Sequence, residues 1–159
     1  MLITIAAVGK LKAGPERDIY ERFAGRVDAA GRKLGVTLAL RELPESRAAS
    51  ASVRKDQEAA ALLAALPSPV TLIALDETGR GTDSRAFADR IARIRDDGVA
   101  NLAFAIGGAD GHGAAVTEKA ALRLAFGAMT WPHQLVRLML AEQIYRAVTI
   151  LSGHPYHRD

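Results

Sequence analysis

The chain has 159 residues and a formal net charge of +3, from 21 Lys and Arg against 18 Asp and Glu. This length is typical of one domain, so we predict a single domain over residues 1–159. The absence of cysteine excludes a disulfide scaffold and suits the reducing cytoplasm, where we expect the protein to act. The apolar run at 2–8 follows no basic segment and is far shorter than the ~20 residues of a membrane span. We therefore expect neither a signal peptide nor a membrane partner.

Short apolar runs rich in Val, Ile, Leu and Ala recur along the chain. They are apolar on successive residues rather than on every second one, which is typical of strands covered on both faces in a parallel sheet. The predicted strands are Leu2–Val8, Val36–Leu43, Val70–Leu75 and Leu102–Ile106.

Helical patterns separate these runs. The first begins near Pro15, the second spans Ser52–Leu66, the third opens at Thr82 or Asp83 and ends at Gly98, the fourth spans Ala114–Phe126, and the fifth begins after Trp131-Pro132 and extends to about Ser152. The alternation of strands and helices predicts an α/β fold with three layers, α/β/α, around a mostly parallel sheet.

The fifth helix is apolar around most of its circumference, whereas a lone surface helix has a polar face. Two interpretations stay open. Either the helix is covered by a second subunit, which favours a homodimer, or it is a central helix of its own core.

Three loops could contact a ligand. The segment 106–113, IGGADGHG, follows the fourth strand, and glycine there lets the backbone approach a ligand closely. The segment 75–81, LDETGRG, follows the third strand, and 126–133, FGAMTWPH, precedes the last helix. Each could equally be a connection without a ligand: a flexible turn, a polar turn and a short packing strand, respectively.

Polar side chains on the last helix and in the tail form a further group. His133 and Arg137 share a helix face, as do Glu142 and Arg146, and the second pair could be an ion pair without a chemical role. The tail HPYHRD concentrates residue types that stack on bases, bind phosphates and move protons, or it is a frayed end. No cluster has the spacing of a metal site, so we expect no metal.

Several segments together resemble the SPOUT, or α/β-knot, family of RNA methyltransferases. They are LITIAAVGKLK, LDETG, IGGADG, MTWPHQLVRLMLAEQIYRA and HPYHRD, and the resemblance extends over residues 1–159. It implies a C-terminal deep trefoil knot, a homodimer and S-adenosylmethionine as cofactor. The implied cofactor contacts are Leu75, Gly107, Phe126, Gly127, Ala128, Met129, Thr130 and Trp131.

The resemblance also implies the reaction, which is methylation of N3 of a pseudouridine in the helix 69 hairpin of 23S ribosomal RNA on the assembled ribosome. The candidates for removing the N3 proton or stabilising the ring anion are Glu142, His133, His157 and Arg158. The candidates for contacts to RNA are Arg137, His154 and Tyr156. The alternatives are a non-catalytic factor that binds RNA or ribosomes on the same scaffold, and a flavodoxin-like nucleotide-binding module without a knot.

Overall fold

Every strand of the central sheet runs parallel to its neighbours. The computed structural model describes residues 1–157, and within them the strand order is β2-β1-β4-β3-β5. The strands are β1 Leu2–Val8, β2 Thr37–Leu43, β3 Thr71–Arg80, β4 Asn101–Ile106 and β5 Leu122–Leu124. The helices are α1 Pro15–Gly31, α2 Ala51–Ala64, α3 Ser84–Asp96, α4 Ala114–Lys119 and α5 His133–Leu151, with a short 3₁₀ turn at Arg32–Leu34.

The sheet is covered on both faces, as its continuous apolar strands predict. In β1, Ile3 and Ile5 belong to the core under α1, α3 and α5, while Ala6 and Val8 belong to a second core under α2 and α4. All four side chains are inaccessible to solvent. The predicted three-layer α/β/α architecture is therefore confirmed, and the chain is long enough to fill two hydrophobic layers.

Two predicted boundaries around the third strand were wrong. The fourth helix ends at Lys119 instead of Phe126, because the apolar residues beyond it pair with the edge of the sheet. Leu122 lies beside Ile73 of β3, and the Ala121 N–H donates to the Leu72 carbonyl at 2.8 Å. The third strand continues past Leu75 to Arg80 for the same reason, since its outer end hydrogen-bonds to the segment that contains β5.

The last helix has the predicted extent, and it occupies the middle of its layer. It packs against α1 on one side and α3 on the other, which buries Leu140, Ile144 and Val148 completely. This packing accounts for much of its apolar character without a second subunit. Near its start, however, Met129, Trp131 and Leu135 remain exposed, with 71%, 41% and 38% of their surfaces accessible.

Strand pairing does not specify how the C-terminal part threads, so the trefoil knot stays a prediction. Among the described residues, no helix is both long and apolar enough to cross a membrane.

Candidate functional site

The carboxyl ends of the parallel strands meet at one edge of the sheet, which is where open α/β sheets bind their ligands. A cavity of about 530 Å³ lies at this edge, between the loops that follow β3, β4 and β5. Its volume falls within the ~300–1,000 Å³ of ordinary small-molecule sites. Of the predicted cofactor residues, those that line it are Leu75, Gly107, Phe126, Gly127, Met129, Thr130 and Trp131. Ala128 belongs to the same segment but is not part of the lining.

The loop after β4 folds back on itself at the cavity wall. Gly108 and Gly111 form an isolated antiparallel bridge, and the Gly111 N–H donates to the Gly108 carbonyl at 3.0 Å. A Cβ on Gly107 would lie 2.8 Å from the carbonyl carbon of Gly111. Glycine is therefore required at 107 by the loop's own backbone. The loop needs this glycine whether or not a ligand is bound. We had predicted a different reason for it, namely the close approach of a ligand to the backbone.

Two side-chain contacts fix this loop to its surroundings. Arg54 of α2 binds Asp110 through two hydrogen bonds of 2.7 and 3.1 Å, which hold the pKa of Asp110 below its usual range. His112 Nε2 lies 3.0 Å from the carbonyl oxygen of Leu75, so the loop is linked to the end of β3. No sequence pattern indicates the Arg54–Asp110 pair, because its members are far apart in the chain and on different elements.

His112 also carries a polar atom without a partner. Its Nδ1 is buried and forms no hydrogen bond within residues 1–157, although the residue lines the cavity. Burial lowers the pKa of His112, and the Leu75 carbonyl and Asp76 oppose this only in part. The imidazole is therefore neutral near pH 7.

Polar groups at the outer end of β3 connect it to the segment before α5. Thr130 Oγ1 donates to Glu77 Oε2 at 2.6 Å, which joins two of the three loops. Burial alone would raise the pKa of Asp76, but hydrogen bonds from the backbone and hydroxyl of Thr78, with Arg123 nearby, bring it below its usual value. The Asp76 carboxylate on this side of the cavity is therefore ionised near pH 7.

His133, a candidate base, begins α5 and lines the cavity. Burial and the charge of Arg137 lower its pKa, with Glu45 and Glu58 acting in the opposite direction. A neutral imidazole can accept a proton, so the position and the protonation state of His133 both suit the predicted role.

Arg137, predicted to contact RNA, is completely buried. Its Nη2 donates to the Val8 carbonyl at 2.5 Å and its Nη1 donates to Glu42 Oε1 at 3.2 Å. The guanidinium thus ties α5 to the ends of β1 and β2. Its burial contradicts a direct contact with RNA.

Glu142 lies beside a different cavity. It accepts hydrogen bonds from Arg146 at 2.5 Å, Tyr156 at 3.0 Å and Gln143 at 2.8 Å, so the ion pair left open as an alternative is present. Glu142 lines a second cavity of about 800 Å³, which shares only the segment Ala125–Gly127 with the first. The fold therefore separates Glu142 from His133.

The tail, as far as it is described, packs back onto α5. The ring of Tyr156 lies 4.6 Å from that of Tyr145, and His157 Nδ1 is 3.4 Å from Arg146 Nη1. His154 is exposed. Arg158, a predicted catalytic residue, lies outside the described residues. Within those residues no group of three His, Asp or Glu side chains could hold a metal ion.

One family model matches this chain. The model described as "Predicted SPOUT methyltransferase" matches residues 1–157. The chain belongs to this family of SPOUT methyltransferases.

Within the family, two relatives match the whole chain. The chain is 58% identical over 159 residues to the ribosomal RNA large subunit methyltransferase H of Xanthobacter autotrophicus, with 99% of both chains covered. It is 55% identical over 159 residues to the protein of the same name from Nitrobacter hamburgensis, again with 99% of both chains covered.

A solved structure, the SpoU methyltransferase AviRb from Streptomyces viridochromogenes in complex with the cofactor AdoMet, aligns at 13% identity and a TM-score of 0.43. The alignment covers 96% of this chain and 61% of the solved one, so this chain spans less than two thirds of that protein.

Proposed function

We propose that this protein is a cytoplasmic enzyme that transfers a methyl group from S-adenosylmethionine to 23S ribosomal RNA. The observation that supports the proposal most is the cavity at the carboxyl edge. The three loops that line it contain the residues matching the family's cofactor contacts. The relatives named above are methyltransferases of large-subunit ribosomal RNA, which supports the same substrate class.

The residues of this cavity fit S-adenosylmethionine. Leu75, Ile106 and Trp131 offer apolar surface for an adenine ring, and the glycine loop offers backbone polar groups. Asp76 and Glu77 place carboxylates at the cavity, which suits a positively charged ligand. When bound, the cofactor supplies a methyl group that is already activated by its sulfonium.

We propose N3 of a pseudouridine in the helix 69 hairpin, on the assembled ribosome, as the acceptor. The N3–H proton has to leave for the nitrogen to act as a nucleophile. Among the candidate bases, His133 is the one that the described chain brings to the cofactor cavity, and its neutral imidazole can take this proton. Glu142 lies at the second cavity, where Tyr156 and Arg146 hold its carboxylate in place, and His157 contacts the same Arg146.

We also propose a homodimer. The exposed side chains of Met129, Trp131 and Leu135 lie where the cofactor segment joins α5, and a second subunit would cover them. In such a dimer the partner's tail completes each cofactor cavity, since Glu142 and Tyr156 lie away from the cavity of their own chain.

Light scattering at micromolar concentration should give twice the chain mass of 16.9 kDa. A monomer that still methylates ribosomes would contradict the dimer.

The decisive experiment combines a binding measurement with a transfer measurement. Calorimetry should show S-adenosylmethionine binding to the purified protein, and labelled methyl groups should appear in ribosomes that lack this modification. Mapping the labelled nucleotide tests the position within helix 69. Binding of ribosomes without methyl transfer would favour the non-catalytic factor instead.

A further inference from the structure

Three cations stand exposed on the loops that follow β1 and β2. Lys10 and Lys12 come directly after β1, and Arg47 lies in the loop between β2 and α2. None of them forms an ion pair with any residue from 1 to 157. Nearby arginines differ in this respect, since Arg17 pairs with Glu42 and Arg54 with Asp110. We refer to Lys10, Lys12 and Arg47 as the basic rim.

The basic rim is next to the cofactor cavity. Strands β1 and β2 end in register, Val8 beside Leu43, so the two loops leave the sheet together. Gly9, the residue before Lys10, adjoins the cavity, because a Cβ on it would lie 3.5 Å from Nε2 of His133. The backbone that leads into Lys10 therefore passes beside the residue that we propose as base, and Glu45 Oε1 lies closer to the same Cβ position, at 2.8 Å.

Charge is distributed unevenly around this edge of the sheet. On the β3 side, Asp76 and Glu77 line the cavity, and Arg80 and Arg123 nearby offset part of their charge. On the β1 and β2 side, the basic rim is joined by Lys55, which lines the cavity, and Glu45 offsets one of these positive charges. The cavity thus has an acidic side and a basic side.

We propose that the basic rim binds RNA phosphates next to the target nucleotide, so that the substrate reaches the cavity across the ends of β1 and β2. This inference rests on the proposed RNA methyltransferase function. Unpaired, solvated cations can neutralise phosphates without first breaking an internal ion pair, and phosphate contacts position a nucleic acid without reading its sequence. The acidic side is unsuitable for the same polyanion.

The test compares two variants with the same net charge. In the first, the basic rim is neutralised by K10Q, K12Q and R47Q. In the control, three exposed cations at the opposite edge of the sheet are neutralised by R32Q, K33Q and R93Q. Binding to ribosomes that lack the modification is measured over a range of salt concentrations, with S-adenosylmethionine affinity measured separately by calorimetry.

We expect the basic-rim variant to bind more weakly than the wild type. The slope of its log binding constant against log salt concentration should be smaller in magnitude by about 2 to 3, because each phosphate that is no longer neutralised contributes ~0.7–0.9. The control variant should retain the wild-type slope, and both variants should bind S-adenosylmethionine as the wild type does. If wild type and both variants share one slope while wild type methylates ribosomes, the inference is wrong and the proposed function stands. If the wild type binds cofactor but neither binds nor methylates ribosomes, both the inference and the proposed function fail.

Discussion

The buried ion pair between Glu42 and Arg137 provides a sharp test of how α5 is held. Replacing Glu42 with glutamine keeps the size of the side chain and removes its charge. Arg137 has no accessible surface and its guanidinium cannot lose its proton, so its positive charge would remain buried without a hydrogen-bonded carboxylate, with Glu45 as the remaining anion nearby. Leu11 N–H and Arg17 also donate to this carboxylate and would lose a charged acceptor.

Breaking a buried pair by removing one partner costs ~3–5 kcal/mol. Because the Glu42 side chain keeps 17% of its surface accessible, we expect a value near the lower limit, about 3 kcal/mol. For a chain of this size, 1 kcal/mol corresponds to roughly 2–4 °C in the melting temperature, so E42Q should melt about 6–12 °C lower. An exposed pair should contribute less than about 1 kcal/mol.

The control is D96N, which removes the exposed Arg95–Asp96 pair, where the Asp96 side chain is 63% accessible. Urea denaturation of both variants at one protein concentration gives the change in unfolding free energy, provided that the slope with denaturant is unchanged. If E42Q and D96N lose equal stability, the buried pair is not what anchors α5. A stable R137M that fails to bind RNA would reinstate Arg137 as an RNA contact.

Three further predictions concern the loop, its histidine and the tail. G107A places a Cβ 2.8 Å from the backbone of Gly111, so calorimetry should show at least about a tenfold loss of S-adenosylmethionine affinity. In the control G25A the added Cβ has no other atom within 4 Å, so this variant should bind the cofactor as the wild type does. The pKa of His112 is lower in the folded protein than its unfolded value of 6.5, so the buried neutral imidazole stabilises the fold above that pH, and this stabilisation is lost as the pH falls. The melting temperature of H112Q should therefore decrease less than that of the wild type between pH 7.5 and pH 5. Removing every residue after Gly153 should abolish methyl incorporation into ribosomes while S-adenosylmethionine still binds, and full activity of the truncated enzyme would show that the tail is dispensable.

The architecture could be predicted because it depends on local patterns. Continuous apolar runs identified β1, β2 and β4 to within a residue, and the Asp83 cap and Pro15 marked two helix starts. The prediction failed where pairing at the sheet edge decides the structure. Alanine and leucine at 120–124 suit a helix as well as a strand, and contact with β3 determines which one forms.

The sequence predicted where the site lies better than it predicted the contacts that shape it. Segments 75–81 and 106–113 follow predicted parallel strands, so their meeting at one edge could be expected from the sequence. Segment 126–133 was predicted to join two helices, and only the family resemblance grouped it with the other two. The contacts that shape them join distant residues, as in Arg54–Asp110 and Thr130–Glu77, and no spacing rule predicts such pairs. The burial of Arg137 was missed for the same reason, because its partners Val8 and Glu42 come from the other end of the chain.

The separation of the two cavities links the tail to the homodimer. His133 and the cofactor segments lie on one side of Ala125–Gly127, whereas Glu142 lies on the other, held by Arg146 and Tyr156. If the tail takes part in methyl transfer, its groups have to reach a cofactor cavity, but in their own chain Tyr156 and His157 contact Glu142 and Arg146 of α5 instead. We propose that a partner chain covering the exposed start of α5 places its own tail at that cavity. Loss of activity on truncation and a dimer in solution are therefore expected together, and finding either without the other would break this link.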